Sequence, residues 1–248
     1  MIELEKKNTG EILVYGHRGA GFLAPENTMA SFKMAYEIGV DTIELDVHMT
    51  RDGALVVMHD HDVSRTTDGN GHLSEMILAE VNQLDAGIKF GKAYAGEHVP
   101  MLGEVLAWAK DRIQLLIEIK GNPQPAAGIE AAIVDAVREA GMSNQVLVKS
   151  FFHHSVQRVR SIAPEIVTGI LYASDLVDPV SAAQAAGADS LRNLYSYWTK
   201  EAVSAARKAG LHVSAWGVND VTALAHVVEL GVDSFGTDRP KLALAFVK

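Results

Sequence analysis

Short runs of β-branched and aliphatic residues alternate with alanine-rich stretches of helical period along most of the chain. The runs that predict strands are Ile12–Tyr15, Thr42–Val47, Leu55–Met58, Leu115–Ile119, Val146–Val148, Val167–Leu171, Asp189–Leu191, His212–Trp216 and Asp233–Gly236. Patterns typical of helices lie between most of them, as at Gly128–Ala140, Thr199–Lys208 and Val221–Glu229. Strands that alternate with helices indicate βαβ units and a parallel sheet.

A weak internal repeat supports the same organisation. Four segments share a helix end, a glycine and then a strand: AYEIGVDTIEL, AAQAAGADSLR, ARKAGLHVSAW and VVELGVDSFGT. Their glycines (Gly39, Gly187, Gly210 and Gly231) suit the backbone conformation that ends a helix. Roughly eight such βα units fill a chain of 248 residues, which predicts an α/β fold of the TIM (β/α)8 barrel type. A doubly wound open sheet is the alternative.

One segment departs from this alternation. Residues 62–100 are rich in turn-forming residues and contain only a short amphipathic stretch, Ser74–Leu84. Because the segment follows the strand that leads to His59, we predict an insertion that covers the catalytic face of the barrel, with too few apolar residues for a core of its own. Residues 1–248 are therefore predicted to form a single TIM-barrel catalytic domain with a cap insertion at about 62–100.

Composition narrows the class of partner. The formal net charge of -9 disfavours nucleic acid, whose phosphates an acidic surface repels. The absence of cysteine excludes thiolate nucleophiles and disulfides, and it fits a reducing compartment. The N-terminal sequence MIELEKKNTGEI has no secretory apolar core, and no run reaches the ~20 apolar residues of a membrane span. We expect a cytoplasmic protein without a stable membrane anchor; the oligomeric state is left open.

Three carboxylates stand out by their position on strands. Residues two apart on a strand share a face, so Glu44 and Asp46 lie opposite the apolar residues of Thr42–Val47, and Glu118 is placed in the same way on Leu115–Ile119. Barrel strands pack their apolar face on helices, so these acids should point into the barrel mouth. Oxygen ligands without cysteine suit Mg²⁺ or Ca²⁺. The simpler alternative is a solvated strand end whose acids pair with nearby basic residues.

Two histidines, His17 and His59, follow apolar runs. An imidazole titrates near neutral pH and is the usual acid–base group of enzymes, although such a pair could also bind zinc. His61 is the main competitor for the role of His59. The other histidines stand in polar or helical surroundings, and we expect most of them at the surface: His48, His72, His98, His153, His154 and His226.

Further residues near these strand ends suit an anionic substrate. Arg18 could bind a phosphate with two hydrogen bonds, and Lys120 could act as a point charge. Trp216 ends a strand, where an exposed indole would pack on the carbon skeleton of a substrate; a buried tryptophan is an equal alternative. Asn27 or Thr28 is expected to cap a helix.

These residues fall within an ordered series of motifs that covers nearly the whole chain. The series comprises HRG at His17–Gly19, PENT at Pro25–Thr28, ELDV at Glu44–Val47, TRDG at Thr50–Gly53, HD at His59–Asp60, RTTDGNG at Arg65–Gly71, LDAG at Leu84–Gly87, EIK at Glu118–Lys120, SF at Ser150–Phe151, WGVN at Trp216–Asn219 and TDRP at Thr237–Pro240. In this series the chain resembles the glycerophosphodiester phosphodiesterase family.

The resemblance implies a TIM barrel with a small cap, one divalent cation (Mg²⁺ or Ca²⁺) and a small-molecule glycerophosphodiester as substrate. It implies metal-dependent hydrolysis of a compound such as glycerophosphocholine or glycerophosphoethanolamine to glycerol 3-phosphate and an alcohol. The implied roles are general acid and base for His17 and His59, metal ligands for Glu44, Asp46 and Glu118, and phosphate binding for Arg18 and Lys120.

Three other functions remain as alternatives at this point. A lysophospholipase D activity would need an apolar groove, which Met76, Ile77, Leu78 and Leu84 of the insertion could line. A Schiff-base aldolase could use Lys120, although neighbouring carboxylates would keep that lysine protonated. A non-catalytic phosphate-binding barrel is the third alternative.

Overall fold

Strands close into a parallel barrel in the computed structural model, which describes residues 12–247. Within that range the strands are β1 (Leu13–Gly16), β2 (Thr42–Met49), β3 (Leu55–Val57), β4 (Gln114–Ile119), β5 (Val146–Ser150), β6 (Val167–Tyr172), β7 (Ser190–Leu194), β8 (His212–Trp216) and β9 (Ser234–Thr237). All except β3 pair in parallel around the ring, and β1 pairs with both β2 and β9. This closure confirms the predicted barrel and excludes the open doubly wound sheet.

Helices connect the strands and cover the outside of the barrel. Over the same residues they are α1 (Met29–Ile38), α2 (Leu78–Val81), α3 (Leu102–Ala109), α4 (Ile129–Glu139), α5 (His153–Ile162), α6 (Pro179–Ala186), α7 (Lys200–Lys208), α8 (Val221–Leu230) and α9 (Pro240–Val247). Three glycines of the repeat end α1, α6 and α8 in the left-handed conformation, as predicted. The repeat therefore marks helix ends at the amino-terminal side of the next strand.

The alternation along β2 and β4 separates two environments. Ile43, Leu45 and Val47 are fully buried in the main hydrophobic core, together with residues of the helices. The intervening residues of β2 point into the barrel, where Tyr15, Leu116 and Leu147 form a small apolar cluster. Burying each large aliphatic side chain of the outer layer contributes about 1.5–3 kcal/mol. That layer therefore fixes which face of each strand can carry polar side chains.

Strand β3 differs from the regular pattern of the sequence, because it runs antiparallel to β2. Val57 pairs with Val47, and the Met58 amide donates to the Asp46 carbonyl oxygen at 3.0 Å. β2 thus extends beyond the barrel, and the hairpin returns the chain to the mouth. His59 reaches the mouth from this hairpin. The sequence pattern had instead suggested that His59 directly follows a barrel strand.

The segment 62–100 folds as a set of short turns over β3. Its apolar side chains Val63, Leu73 and Leu84 form a small cluster that includes Val56 and Met58 from the β3 region. The predicted amphipathic stretch is α-helical only at α2, where Glu80 Oε2 accepts a hydrogen bond from the Ile77 amide at 2.8 Å, and it begins within a short 3-10 helix, Leu73–Glu75. The segment thus has a small core after all, shared with β3. The assignment of a single domain over 1–248 stays a prediction.

Residues 1–11, to which the expectation of no secretory leader applies, lie outside the described residues. Within residues 12–247, no helix has both the length and the apolar character that crossing a bilayer requires.

Candidate active site

Glu44, Asp46 and Glu118 meet at the mouth of the barrel, as their positions on the strands predicted. Asp46 on β2 is the direct register partner of Glu118 on β4. All three side chains are buried, and each offers a carboxylate oxygen within 4.8 Å of the other two. Three carboxylates this close repel one another strongly unless positive charge balances them. The acids are therefore not solvated, as the simpler alternative supposed, although the pairing with Lys120 and Arg18 that it also supposed is present.

Arg18 and Lys120 supply part of that positive charge. The Arg18 amide donates to Glu44 Oε2 at 2.9 Å, and Arg18 Nε lies 3.4 Å from Asp46 Oδ2. Lys120 Nζ lies 2.8 Å from Glu118 Oε1 and 3.5 Å from Asp46 Oδ1. Burial lowers the pKa of Lys120, but the attraction of Glu118 and Asp46 outweighs it and raises the pKa. A protonated ammonium is not a nucleophile, which argues against the aldolase alternative.

The carboxylate oxygens fit a divalent cation. Asp46 Oδ1 and Glu44 Oε1 are buried and accept no hydrogen bond from the described residues. Lys149 Nζ lies 2.9 Å from Glu44 Oε1 and forms an ion pair with it. Buried anionic oxygens without hydrogen bonds are unfavourable, and hard cations such as Mg²⁺ and Ca²⁺ bind such oxygens. The trio could therefore hold one such ion through Glu44, Asp46 and Glu118.

His17 stands directly after β1, and a carboxylate orients its ring. His17 Nδ1 lies 2.7 Å from Asp238 Oδ1, and Asn219 Nδ2 donates to the other oxygen of Asp238 at 2.6 Å. Since a carboxylate only accepts, Nδ1 carries the proton and Nε2 is the nitrogen available for proton transfer. Burial lowers the pKa of His17, but the hydrogen bond to Asp238 and the charge of Glu44 outweigh it and raise the pKa.

His59 has the same arrangement with its neighbour in sequence. His59 Nδ1 lies 2.6 Å from Asp60 Oδ1, and Arg65 of the insertion bonds the other oxygen of Asp60 through Nε. Arg65 also donates two hydrogen bonds to Glu26, at 2.7 and 2.9 Å. Both histidines therefore have a carboxylate on Nδ1, and His61 is instead stacked on His72 at the surface. The geometry favours His59 over His61.

Glu26 links the insertion to the barrel. Its Oε1 accepts from Arg18 Nη1 at 2.8 Å while both oxygens accept from Arg65. Burial raises the pKa of Glu26, but the bonds to Arg65 and the charge of Arg18 outweigh it and lower the pKa to about 2. Glu26 therefore stays charged at neutral pH, and it connects Arg18 to the network of His59.

Trp216 lies at the end of β8, on the face that points into the mouth. It is half-buried, and its ring meets the exposed ring of Phe151 edge to face, with centroids 5.9 Å apart. The indole is thus neither a buried core residue nor fully exposed. Because Phe151 follows β5, the two rings form an apolar wall beside the charged groups of β1, β2 and β4.

Sequence reasoning missed several residues of this site. Asp238, Asn219, Glu26 and Arg65 all stand within the quoted motifs, but the motifs alone assigned them no partner. Of the two residues expected to cap α1, Thr28 does so by accepting a hydrogen bond from the Ser31 amide, whereas Asn27 donates to Asp46 Oδ2 at 2.8 Å.

The backbone near the site has two left-handed residues other than glycine, Arg18 with φ 54° and Asn27 with φ 57°. Such strain is often stored at functional sites. His48, expected at the surface, is buried on β2, and its Nε2 lies 3.1 Å from the His59 carbonyl oxygen. The expectation for His48 was wrong because β2 extends to Met49 and pairs with β3 there.

Replacement of Asp238 by Asn should reveal whether His17 is active as the protonated or as the neutral imidazole. The neutral amide stabilises an imidazolium less than the carboxylate does, so the pKa of His17 should fall. If the protonated ring is active, the alkaline limb of the pH profile of kcat/KM moves to lower pH; if the neutral ring is active, the acid limb does. Asp135→Asn on the exposed face of α4 serves as control. A profile with neither limb moved would contradict a role for the Asp238–His17 pair.

These groups gather at the carboxyl-terminal end of the barrel, where (β/α)8 enzymes hold their active sites: the acidic trio, His17 and Lys120 lie on or directly after barrel strands, and His59 reaches the same end from the β2–β3 hairpin. The fold and site together define a (β/α)8 barrel with a buried acidic trio that could hold a cation at its mouth. The model of the Glycerophosphoryl diester phosphodiesterase family matches residues 17–242, and the chain belongs to that family. The resemblance drawn from the motifs is confirmed, and with it the enzyme class, a phosphoric diester hydrolase.

Named relatives cover nearly the full length. The chain is 40% identical to a glycerophosphodiester phosphodiesterase of Caldanaerobacter subterraneus subsp. tengcongensis, over 95% of this chain and 98% of the relative. A crystal structure of the Agrobacterium tumefaciens enzyme of that name superposes with a TM-score of 0.83 at 31% identity, covering 94% of this chain and 99% of that one. The structure of an Oleispira antarctica phosphodiesterase in complex with its product sn-glycerol-3-phosphate superposes with a TM-score of 0.87 at 29% identity. The match covers 96% of this chain and 97% of that one.

Proposed function

We propose that the protein hydrolyses glycerophosphodiesters such as glycerophosphocholine or glycerophosphoethanolamine to glycerol 3-phosphate and an alcohol. The observation that carries the proposal is the acidic trio at the mouth between two carboxylate-paired imidazoles. The product bound by the Oleispira relative supports the same substrate class. We keep a cytoplasmic location as a further expectation, based on composition alone.

The positively charged side chains of Arg18 and Lys120 at the mouth bind the substrate. Arg18 is held by Glu26, and Lys120 by Glu118, so both present their charge in a fixed position. Their attraction for a phosphodiester anion is strong in a site that burial partly shields from water. Trp216 and Phe151 would pack on the apolar carbons of the substrate. A divalent cation on Glu44, Asp46 and Glu118, either Mg²⁺ or Ca²⁺, would add Lewis-acid neutralisation of the phosphoryl oxygens.

Proton transfer falls to the two histidines. Nε2 of one ring removes a proton from the attacking hydroxyl, which is that of water or of the neighbouring glycerol carbon, as oxygen bonds to phosphorus. Nε2 of the other ring donates a proton to the alcohol oxygen as its bond to phosphorus breaks. Asp238 and Asp60 hold the rings in the tautomer that this exchange needs. In the glycerol-hydroxyl route, water then opens the cyclic phosphate with the two proton transfers reversed.

The lysophospholipase D alternative depended on a groove in the insertion. Leu84 is buried in the cluster of the insertion, and Met76 and Leu78 pack against it. These side chains hold the insertion on β3, so no observation favours an acyl groove there. The glycerophosphodiester is therefore the preferred substrate class.

A substrate panel tests the proposal. Metal-stripped protein is assayed with glycerophosphocholine, glycerophosphoethanolamine and a lysophospholipid, before and after Mg²⁺ or Ca²⁺ is restored. We expect glycerol 3-phosphate to be released from the first two only after the cation is added. Release of phosphocholine, turnover of the lysophospholipid alone, or full activity in chelator would each contradict the proposal.

A further inference from the structure

Lys149 carries a buried ammonium group that the proposed proton transfers and substrate contacts do not use. It lies on β5 as the register partner of Glu118 and is 2% exposed. Its Nζ lies 2.9 Å from Glu44 Oε1 and 3.5 Å from Glu118 Oε2. A single cation therefore joins two carboxylates of the trio that come from different strands.

The two lysines of the site differ in what they can reach. The Lys120 side chain is 16% exposed and follows β4 at the mouth, whereas that of Lys149 is 3% exposed and lies within the barrel. A substrate phosphate that enters from solvent can meet Lys120 but not Lys149. The role of Lys149 must therefore concern the carboxylates themselves.

Two negative charges flank the Lys149 ammonium within the barrel. Glu44 and Glu118 each place a carboxylate oxygen within 3.5 Å of its Nζ, and their attraction stabilises the ammonium. Arg192 adds a second buried cation within the barrel, bonded to the hydroxyls of Ser190 at 3.1 Å and Ser214 at 3.2 Å. Positive charge thus lies inside the barrel beside the acidic trio, which opens towards the mouth.

We propose that Lys149 is a positioning residue: a built-in counter-cation that holds Glu44 and Glu118 together without metal and weakens the affinity of the trio for a divalent cation. The inference rests on the metal site of the proposed function. The ammonium offsets the repulsion between the carboxylates, so the site is assembled before an ion arrives. An ion that binds the same carboxylates meets a fixed positive charge beside them, and like charges repel.

Lys149→Met tests this directly, because methionine keeps an unbranched side chain and removes the charge. Mg²⁺ and Mn²⁺ are titrated calorimetrically into metal-stripped wild type and variant. We expect the dissociation constant of the variant to fall by about tenfold or more. We also expect a lower midpoint of thermal unfolding without metal, and a larger gain in that midpoint when metal is added. An unchanged or weaker affinity would overturn the inference.

Two further variants make the result specific. Lys200→Met removes one positive charge from an exposed pair with Glu229 and should leave the ion affinity unchanged. Lys149→Gln also removes the charge but keeps a polar side chain that can donate hydrogen bonds, so it serves if Lys149→Met does not fold; it should also bind the ion more tightly than wild type. A wild type that binds no divalent cation would overturn the proposed metal site itself. A wild type that binds, with no gain in either Lys149 variant, would overturn only the role of Lys149.

Discussion

Glu44→Gln, Asp46→Asn and Glu118→Gln are each expected to lower kcat/KM by about a thousandfold, equivalent to about 4 kcal/mol of transition-state stabilisation. Each amide keeps the shape of the side chain but removes an anionic oxygen from the trio. Each also removes one of the two carboxylates that a lysine contacts: Lys149 loses Glu44 in the first variant, Lys120 loses Asp46 in the second, and both lysines lose Glu118 in the third. Steady-state kinetics at saturating Mg²⁺ and calorimetric titration of the ion measure the two effects separately.

The control for this series is Glu229→Gln, an exposed acid that pairs with Lys200 far from the mouth. It makes the same chemical change and should leave both kcat/KM and ion affinity near wild type. If any one of the three amide variants binds the ion and turns over like wild type, that residue is not a ligand, and the trio cannot be the centre of the reaction.

His17→Gln and His59→Gln are each expected to lower kcat by about a thousandfold, within the range that general acid–base catalysis supplies. Glutamine has no group that titrates near neutral pH, so it can neither accept nor donate the transferred proton. The double variant should lose little more than either single variant, because groups that act in one step are not additive. Rates with glycerophosphocholine measure all three, and near-wild-type turnover in either single variant would remove that histidine from the mechanism.

A substrate with a better leaving group distinguishes the two roles. In a p-nitrophenyl ester of glycerol phosphate, the p-nitrophenolate group leaves without protonation. The variant that lacks the general acid should therefore regain most of its rate with this substrate. The variant that lacks the base should stay slow. Equal recovery of both variants would contradict the assignment of one acid and one base. The result can be compared with the limb of the pH profile that Asp238→Asn moves.

The parts of this molecule that the sequence could predict are those set by periodicity. Alternation of strands with helices gave the barrel, and alternation within a strand gave the inward direction of Glu44, Asp46 and Glu118. Both patterns act over a few residues, where the backbone geometry relates sequence spacing to direction. The hydrophobic layer of Ile43 and Leu45 enforces that direction, so the prediction of three converging acids was confirmed by the structure.

The rest depended on contacts that spacing does not encode. Asp238 meets His17 across 221 positions because β9 pairs with β1. Lys149 directly follows the predicted strand Val146–Val148 and received no role from the sequence, because its partners lie on β2 and β4. The antiparallel direction of β3 was hidden because a run of three apolar residues has the same pattern in either direction. The family motifs contain many of these residues, but they do not specify which side chains contact one another.

The pairing of β1 with β9 has a consequence for the newly made protein. A nascent polypeptide that has left the ribosome only through β8 already contains the acidic trio, both histidines, Lys120 and Lys149. It lacks the carboxylate that orients His17, and its cylinder still has an open seam between β1 and β8. Hydrolysis should therefore begin only after β9 has paired with β1 and β8, so an incompletely synthesised chain should not hydrolyse the substrate.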